Sequence, residues 1–135
     1  MREILFRGKR IDTGEWVYGS YLPKSNTICT ERTYPNSTEY IDLFVDYETV
    51  GQYINLNDMH GNKIFEGDIV LSIGGLPWLI DFERNSFVCK DSSMTTYFAL
   101  WEQWDYDWNN KEDISPSDRF EVIGNIYENP ELLKY

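Results

Sequence analysis

Thr49-Val50-Gly51-Gln52-Tyr53-Ile54-Asn55-Leu56-Asn57-Asp58-Met59-His60-Gly61-Asn62-Lys63-Ile64-Phe65-Glu66-Gly67-Asp68-Ile69-Val70 reads as strand, turn and strand. Val50, Tyr53 and Leu56 lead into a four-residue reversal, Asp58-Met59-His60-Gly61. Asp58 can accept a hydrogen bond from the backbone two residues on, and Gly61 can take the positive φ that closes such a turn. Ile64 and Phe65 open the return leg. Glu66-Gly67-Asp68 is a second tight turn that delivers Ile69, Val70 and Leu71 into a buried strand.

The same grammar extends outward. Upstream, Ile41, Leu43, Val45 and Tyr47 alternate with Asp42, Phe44, Asp46 and Glu48, a strand with one apolar and one mostly acidic face. Ile4-Leu5-Phe6 and Trp16-Val17-Tyr18 flank Asp12-Thr13-Gly14-Glu15, which predicts an N-terminal β-hairpin with Gly14 at positive φ. Arg2, Arg7, Lys9 and Arg10 make this hairpin the basic patch of the chain, and a solvated strand face that blunts an exposed edge is the plain reading. Residues 24–39 read as a long loop around a short strand at Ile28-Cys29-Thr30. Downstream, Gly74-Gly75-Leu76-Pro77 and Glu83-Arg84-Asn85-Ser86 are turns between Leu71-Ser72-Ile73, Trp78 to Phe82 and Phe87 to Lys90. Short strands at this spacing argue for a small barrel or sandwich, and the glycine-aspartate lead into Ile69 suggests an SH3-like partial barrel.

Residues 91–119 interrupt the rhythm. Phe98, Trp101, Trp104 and Trp108 fit one helical face, whereas Asp105-Tyr106-Asp107-Trp108 alternates as a strand does. Phe120 to Tyr127 is the last strand. Asn129-Pro130-Glu131 then has the chemistry of a helix start, so a helical turn docks by Leu132 and Leu133.

Composition bounds the rest. With 135 residues the chain is long enough for one real core and reads as a single domain, 1–135. Its formal net charge of −11 opposes direct binding to nucleic acid or an anionic membrane. Arg2-Glu3 follows Met1 with no apolar h-region, and no apolar run is long enough to span a bilayer, so a cytoplasmic setting is expected. Cys29 and Cys89 are then reduced thiols. Two cysteines and one histidine, scattered, do not make a zinc site, and no cofactor is expected.

A resemblance is carried by three motifs: Phe6-Arg7-Gly8-Lys9-Arg10 to Glu15-Trp16-Val17-Tyr18-Gly19, the central stretch, and Phe120-Glu121-Val122-Ile123-Gly124-Asn125-Ile126-Tyr127-Glu128-Asn129-Pro130-Glu131-Leu132. Together they resemble the YopX family of small phage and prophage proteins. Ile54-Asn55 stands where the resemblance leads one to expect Thr-Gly. The family likeness implies a mainly β fold and implies no activity or catalytic residues.

Candidate chemistry is sparse. Gly74-Gly75 lacks the lysine and helix of a phosphate cradle. Asp105, Asp107, Asn109 and Asp113 have part of a calcium loop's spacing, but Asn110 replaces the glycine and Pro116 the bidentate glutamate. His60 sits at a turn tip, and Cys89 reads as a small buried residue. The segment from Trp101 to Asp118 combines tryptophans with Glu102, Asp105, Asp107, Glu112, Asp113 and Asp118. Tryptophans in the core with solvated carboxylates account for it simply; an interaction surface is the sharper reading.

The sequence therefore predicts a mainly β protein: an N-terminal hairpin, an SH3-like partial barrel, and one short helical insertion or C-terminal helical cap. It predicts a non-enzymatic protein-binding module that self-associates or docks an unidentified phage or host protein. The surface would join Trp101, Trp104, Asp105, Tyr106, Asp107 and Trp108 to the oppositely charged Arg7, Lys9 and Arg10, and rising salt would weaken such assembly. Two rival classes are an acidic inhibitor that mimics nucleic acid to block a host DNA-binding protein, and a hydrolase working from paired carboxylates.

Overall fold

The computed structural model describes residues 2–72, 75–91, 97–99, 105–107, 112–114 and 120–133, the three short segments before 120 by their backbone. The mainly β class is what the chain adopts. It groups into two compact units, Met1–Tyr53 and Ile54–Tyr135.

In the first unit β1 (Phe6–Arg10) pairs antiparallel with β2 (Trp16–Leu22) on one side and with β4 (Ser37–Asn57) on the other. β3 (Thr27–Tyr34) joins β2 to β4, so the four strands close into a ring. The expected hairpin is there, with Gly14 at φ 73° and Arg10 N–H bonded to the Glu15 carbonyl at 2.8 Å. The ring is narrow because glycine stands at its tightest points. A Cβ on Gly8 would lie 3.2 Å from both Ile28 and Val45, which are fully buried. At Gly19, where β2 leaves β1 for β3, a Cβ would overlap the Cys29 carbonyl.

Three expectations fail here, each for a physical reason. β1 is not an exposed edge: both of its sides are paired, and Arg7 is buried with its guanidinium 4.6 Å from the Trp16 ring centre. Burial of a cation is tolerable there because the indole face is electron-rich. Residues 24–39 are not a loop. β3 and β4 form a hairpin down to Tyr34↔Ser37, joined by Pro35 and Asn36. Threonines at 27, 30, 33 and 38 favour extended backbone, whereas Ser, Asn and Pro in the same stretch suggested irregularity. Finally, Tyr47 leaves the apolar face. Arg7↔Gly51 and Lys9↔Asp46 show β4 bulging between them, fastened by Thr49, which accepts the Lys9 N–H at 2.9 Å and donates to the Asp46 carbonyl at 2.7 Å. The bulge throws Tyr47 outward.

The second unit begins with the central stretch. Asp58 makes the expected turn: Oδ1 accepts the N–H groups of His60 and Asn62 at 2.9 and 2.8 Å, with Gly61 at φ 82°. Its other oxygen reaches the last strand, accepting Val122 N–H at 3.0 Å. Asn55 takes φ 65°, so an asparagine fills the left-handed position where glycine was expected by resemblance. β5 (Lys63–Phe65) returns beside β4, and the turn at Gly67 (φ 89°) feeds β6 (Asp68–Leu71).

β6 pairs with β7 (Pro77–Glu83), β7 with β8 (Ser86–Lys90), β8 with β9 (Tyr97–Ala99), and β12 (Glu121–Asn125) covers the other side of β6. Arg84 and Asn85, both at positive φ, make the two-residue link of the β7–β8 hairpin. Both faces of this sheet are covered. Val70, Ile80 and Cys89 pack with Ile54, Ile64 and Phe120 on one side. Ile69 and Leu79 pack with Leu133 on the other. Leu133 belongs to a 3₁₀ turn, Pro130–Leu133, the expected helical cap. β10 (Asp105–Asp107) and β11 (Glu112–Ile114) form a separate two-stranded pair. Within Thr96 to Trp108, residues 97–99 and 105–107 are thus extended.

Candidate interaction surface

Of the surface expected from sequence, Trp101, Trp104 and Trp108 lie outside the described residues. Asp105, Tyr106 and Asp107 form β10, opposite Ile114, Asp113 and Glu112. On the basic side, Arg7 is buried against Trp16, and Lys9 lies 5.9 Å from the same ring. Arg10 forks onto Asp12 at 2.8 and 2.9 Å, which holds that carboxyl below its usual range. All three basic residues thus have partners inside the hairpin.

The exposed apolar surface of the first unit lies elsewhere. Every residue from Glu31 to Tyr40 is exposed, so the tip of β3–β4 is a bare two-stranded arm. Its backbone can be sorted. A two-residue link makes Tyr34↔Ser37 a hydrogen-bonded pair, and such pairs alternate along an antiparallel ladder. Arg32↔Glu39 and Thr30↔Ile41 then bond across the arm. Glu31 and Thr33 turn their N–H and C=O away from β4, as Thr38 and Tyr40 turn theirs away from β3. Farther down, Ile11 N–H reaches the Phe44 carbonyl at 3.1 Å and Val45 N–H the Asn26 carbonyl at 3.1 Å, which agrees with that alternation. Along the arm, among the described residues, no third strand meets these outward groups.

Side chains on one face follow from the register. Ser20, Cys29 and Asp42 stand in line across β2, β3 and β4, with Tyr18, Glu31, Tyr40 and Phe44 on the same side. Tyr40 is 67% and Phe44 66% exposed. Where β2 turns away at Gly19, a groove of ≈ 540 Å³ opens between Ile4, Tyr18, Ser20, Cys29, Glu31 and Tyr40. The Cys29 thiol there is pushed above its ordinary pKa by desolvation and by Asp42 and Glu31, which disfavours the thiolate. Sequence reasoning passed over Tyr18, Glu31 and Tyr40 because the arm has no buried face. Its one signal was the density of threonine and tyrosine.

In the second unit three titratable groups have well-defined surroundings. His60 is exposed at the turn, 3.4 Å from Glu121. Cys89 is buried, and burial pushes its thiol up to about 12. Burial also disfavours charge on Lys90, but its bonds to Asp81 at 2.8 Å and Glu83 at 2.6 Å outweigh that and raise its pKa. Among the described residues no cluster of His, Cys, Asp or Glu could hold a metal, and no helix is long and apolar enough to cross a membrane.

Comparison with known proteins agrees with the fold. The crystal structure of protein EF1440 from Enterococcus faecalis superposes with a TM-score of 0.55 at 20% identity, covering 99% of this chain and 100% of that one. No curated protein matches the chain. The family model described as YopX protein matches residues 5–134, and the chain accordingly belongs to the YopX family.

Proposed function

We propose that this YopX protein is a non-enzymatic binding module that works by protein contacts, and that it self-associates through the β3–β4 arm. The observation that carries the reading is the arm itself: Glu31 to Tyr40 are all exposed, and among the described residues no strand pairs with the outward backbone groups of Glu31, Thr33, Thr38 and Tyr40. An isolated ribbon of two strands is marginal in water, and an open strand edge is a template for another chain. Closed two-fold symmetry is the commonest form of self-association among soluble oligomers, and two such edges can satisfy it. Two free thiols, Cys29 and Cys89, fit a reducing compartment such as the cytoplasm.

Light scattering tests it. The link Glu31–Tyr40 can be replaced by Asn-Gly, which joins the hydrogen-bonded pair Thr30↔Ile41 by a favoured two-residue turn. The native chain should assemble, and the shortened one should remain a monomer that still unfolds cooperatively. Copies carrying −11 each repel, and backbone pairing does not depend on charge, so rising salt should strengthen assembly. A native monomer at all concentrations would defeat self-association and leave a foreign protein as the partner. Assembly that salt weakens would return the argument to complementary charged patches.

A further inference from the structure

The groove beside the arm has the form of a strand that is missing. β2 pairs with β3 from Ser20↔Cys29 to Leu22↔Thr27, then departs at Gly19 to pair with β1. Had β2 continued along β3, Tyr18 would stand opposite Glu31. Instead the ladder stops, and Glu31 and Thr33 offer N–H and C=O groups into the space vacated. Its walls mix polar groups with the exposed side chains of Ile4 (70% exposed), Tyr18 (45%) and Tyr40 (67%). Among the residues that line the groove, charge comes from Glu3 and Glu31, and none is basic. Asp42 sits on the same face beside Cys29, where, after desolvation, its carboxylate and that of Glu31 help hold the thiol above its ordinary pKa.

We infer that this groove is a site for an extended peptide segment that adds as a strand to the open edge of β3, with lysine or arginine at alternate positions and apolar residues between. The binding-module reading is its premise, but self-association is not. Backbone pairing with Glu31 and Thr33 would supply affinity, and the alternating side chains specificity. A basic residue paired with Glu31 lies on the face that carries Tyr18 and Tyr40, where cation and aromatic ring attract. Complementary charge also speeds encounter with a chain of net charge −11.

The test uses the full chain and three end-blocked peptides: Val-Lys-Val-Arg-Val, its acidic counterpart Val-Glu-Val-Glu-Val, and the basic peptide N-methylated at alternate backbone nitrogens. Titrations are followed by amide chemical shifts. The basic peptide should bind and shift the amides of Glu31 and Thr33, and the acidic one should bind at least about tenfold more weakly. The N-methylated peptide should lose binding, since it cannot donate to the edge. Glu31→Lys, an exposed substitution, should reduce affinity for the basic peptide about tenfold without altering the fold. Equal binding of basic and acidic peptides, indifference to N-methylation, shifts confined to other strands, or no binding by about 1 mM would each overturn the site. If the peptides fail while the native chain still assembles through its arm, the groove is wrong and the binding module stands.

Discussion

Asp58 binds the two ends of the second unit with one carboxylate. Its oxygens accept from His60 and Asn62 in its own turn and from Val122 in the last strand. Asn62 adds a side-chain bond at 3.2 Å. Burial alone would raise its pKa; the hydrogen bonds outweigh burial and hold it below the usual aspartate range. A depressed carboxyl stabilises the fold above its unfolded pKa, and that contribution drains away as pH falls through the lower folded value. Asp58→Ala should cost about 3 kcal/mol near neutral pH, because three backbone donors lose their acceptor. Urea titrations at several pH values check this: the gap between native and variant should be constant above about pH 5 and shrink in acid. A gap that widened in acid would mean the carboxylate is not the holding group. Asn55 is a second residue whose place is now explained. Its left-handed φ is one that asparagine tolerates better than most side chains.

Among the elements, β2 and the central turn use glycine for different reasons. Gly61 needs its positive φ but faces open space, whereas Gly19 has no positive φ and faces the Cys29 carbonyl. Gly61→Ala should therefore cost about 1 kcal/mol of backbone strain. Gly19→Ala must push β2 from β3 and should cost about 3 kcal/mol. Denaturation midpoints of the two variants decide it, and equal losses would refute the crossing geometry. Position 61 was legible because Asp58-Met59-His60-Gly61 is a local code. Position 19 was not, since the neighbour that forbids a side chain is ten residues away in the chain and on another strand. The arm was illegible for a related reason: period-two alternation reports a buried face, and residues 31–40 bury neither. The bulge at Asp46 to Gly51 likewise interrupted an alternation that read as continuous through Tyr47.

At the scale of the whole molecule, turn chemistry sufficed for the mainly β class, and the 3₁₀ cap followed from Asn129-Pro130-Glu131. What the sequence could not show is that β1 has two partners, because pairing Phe6 with Gln52 leaves no local mark. That ring has a consequence in time. During translation β1 emerges before β4, and their ladder must wait until residue 52 has left the ribosome. Joining such distant segments costs more chain entropy than closing the β3–β4 hairpin, and distant pairings form late. The amides that bridge the seam, Lys9 N–H to Thr49 and Tyr53 N–H to the Leu5 carbonyl, should acquire protection after Val45 N–H, which bonds Asn26. Pulse-labelled hydrogen exchange during refolding reads that order directly; seam amides protected first would mean that the first strand nucleates this unit.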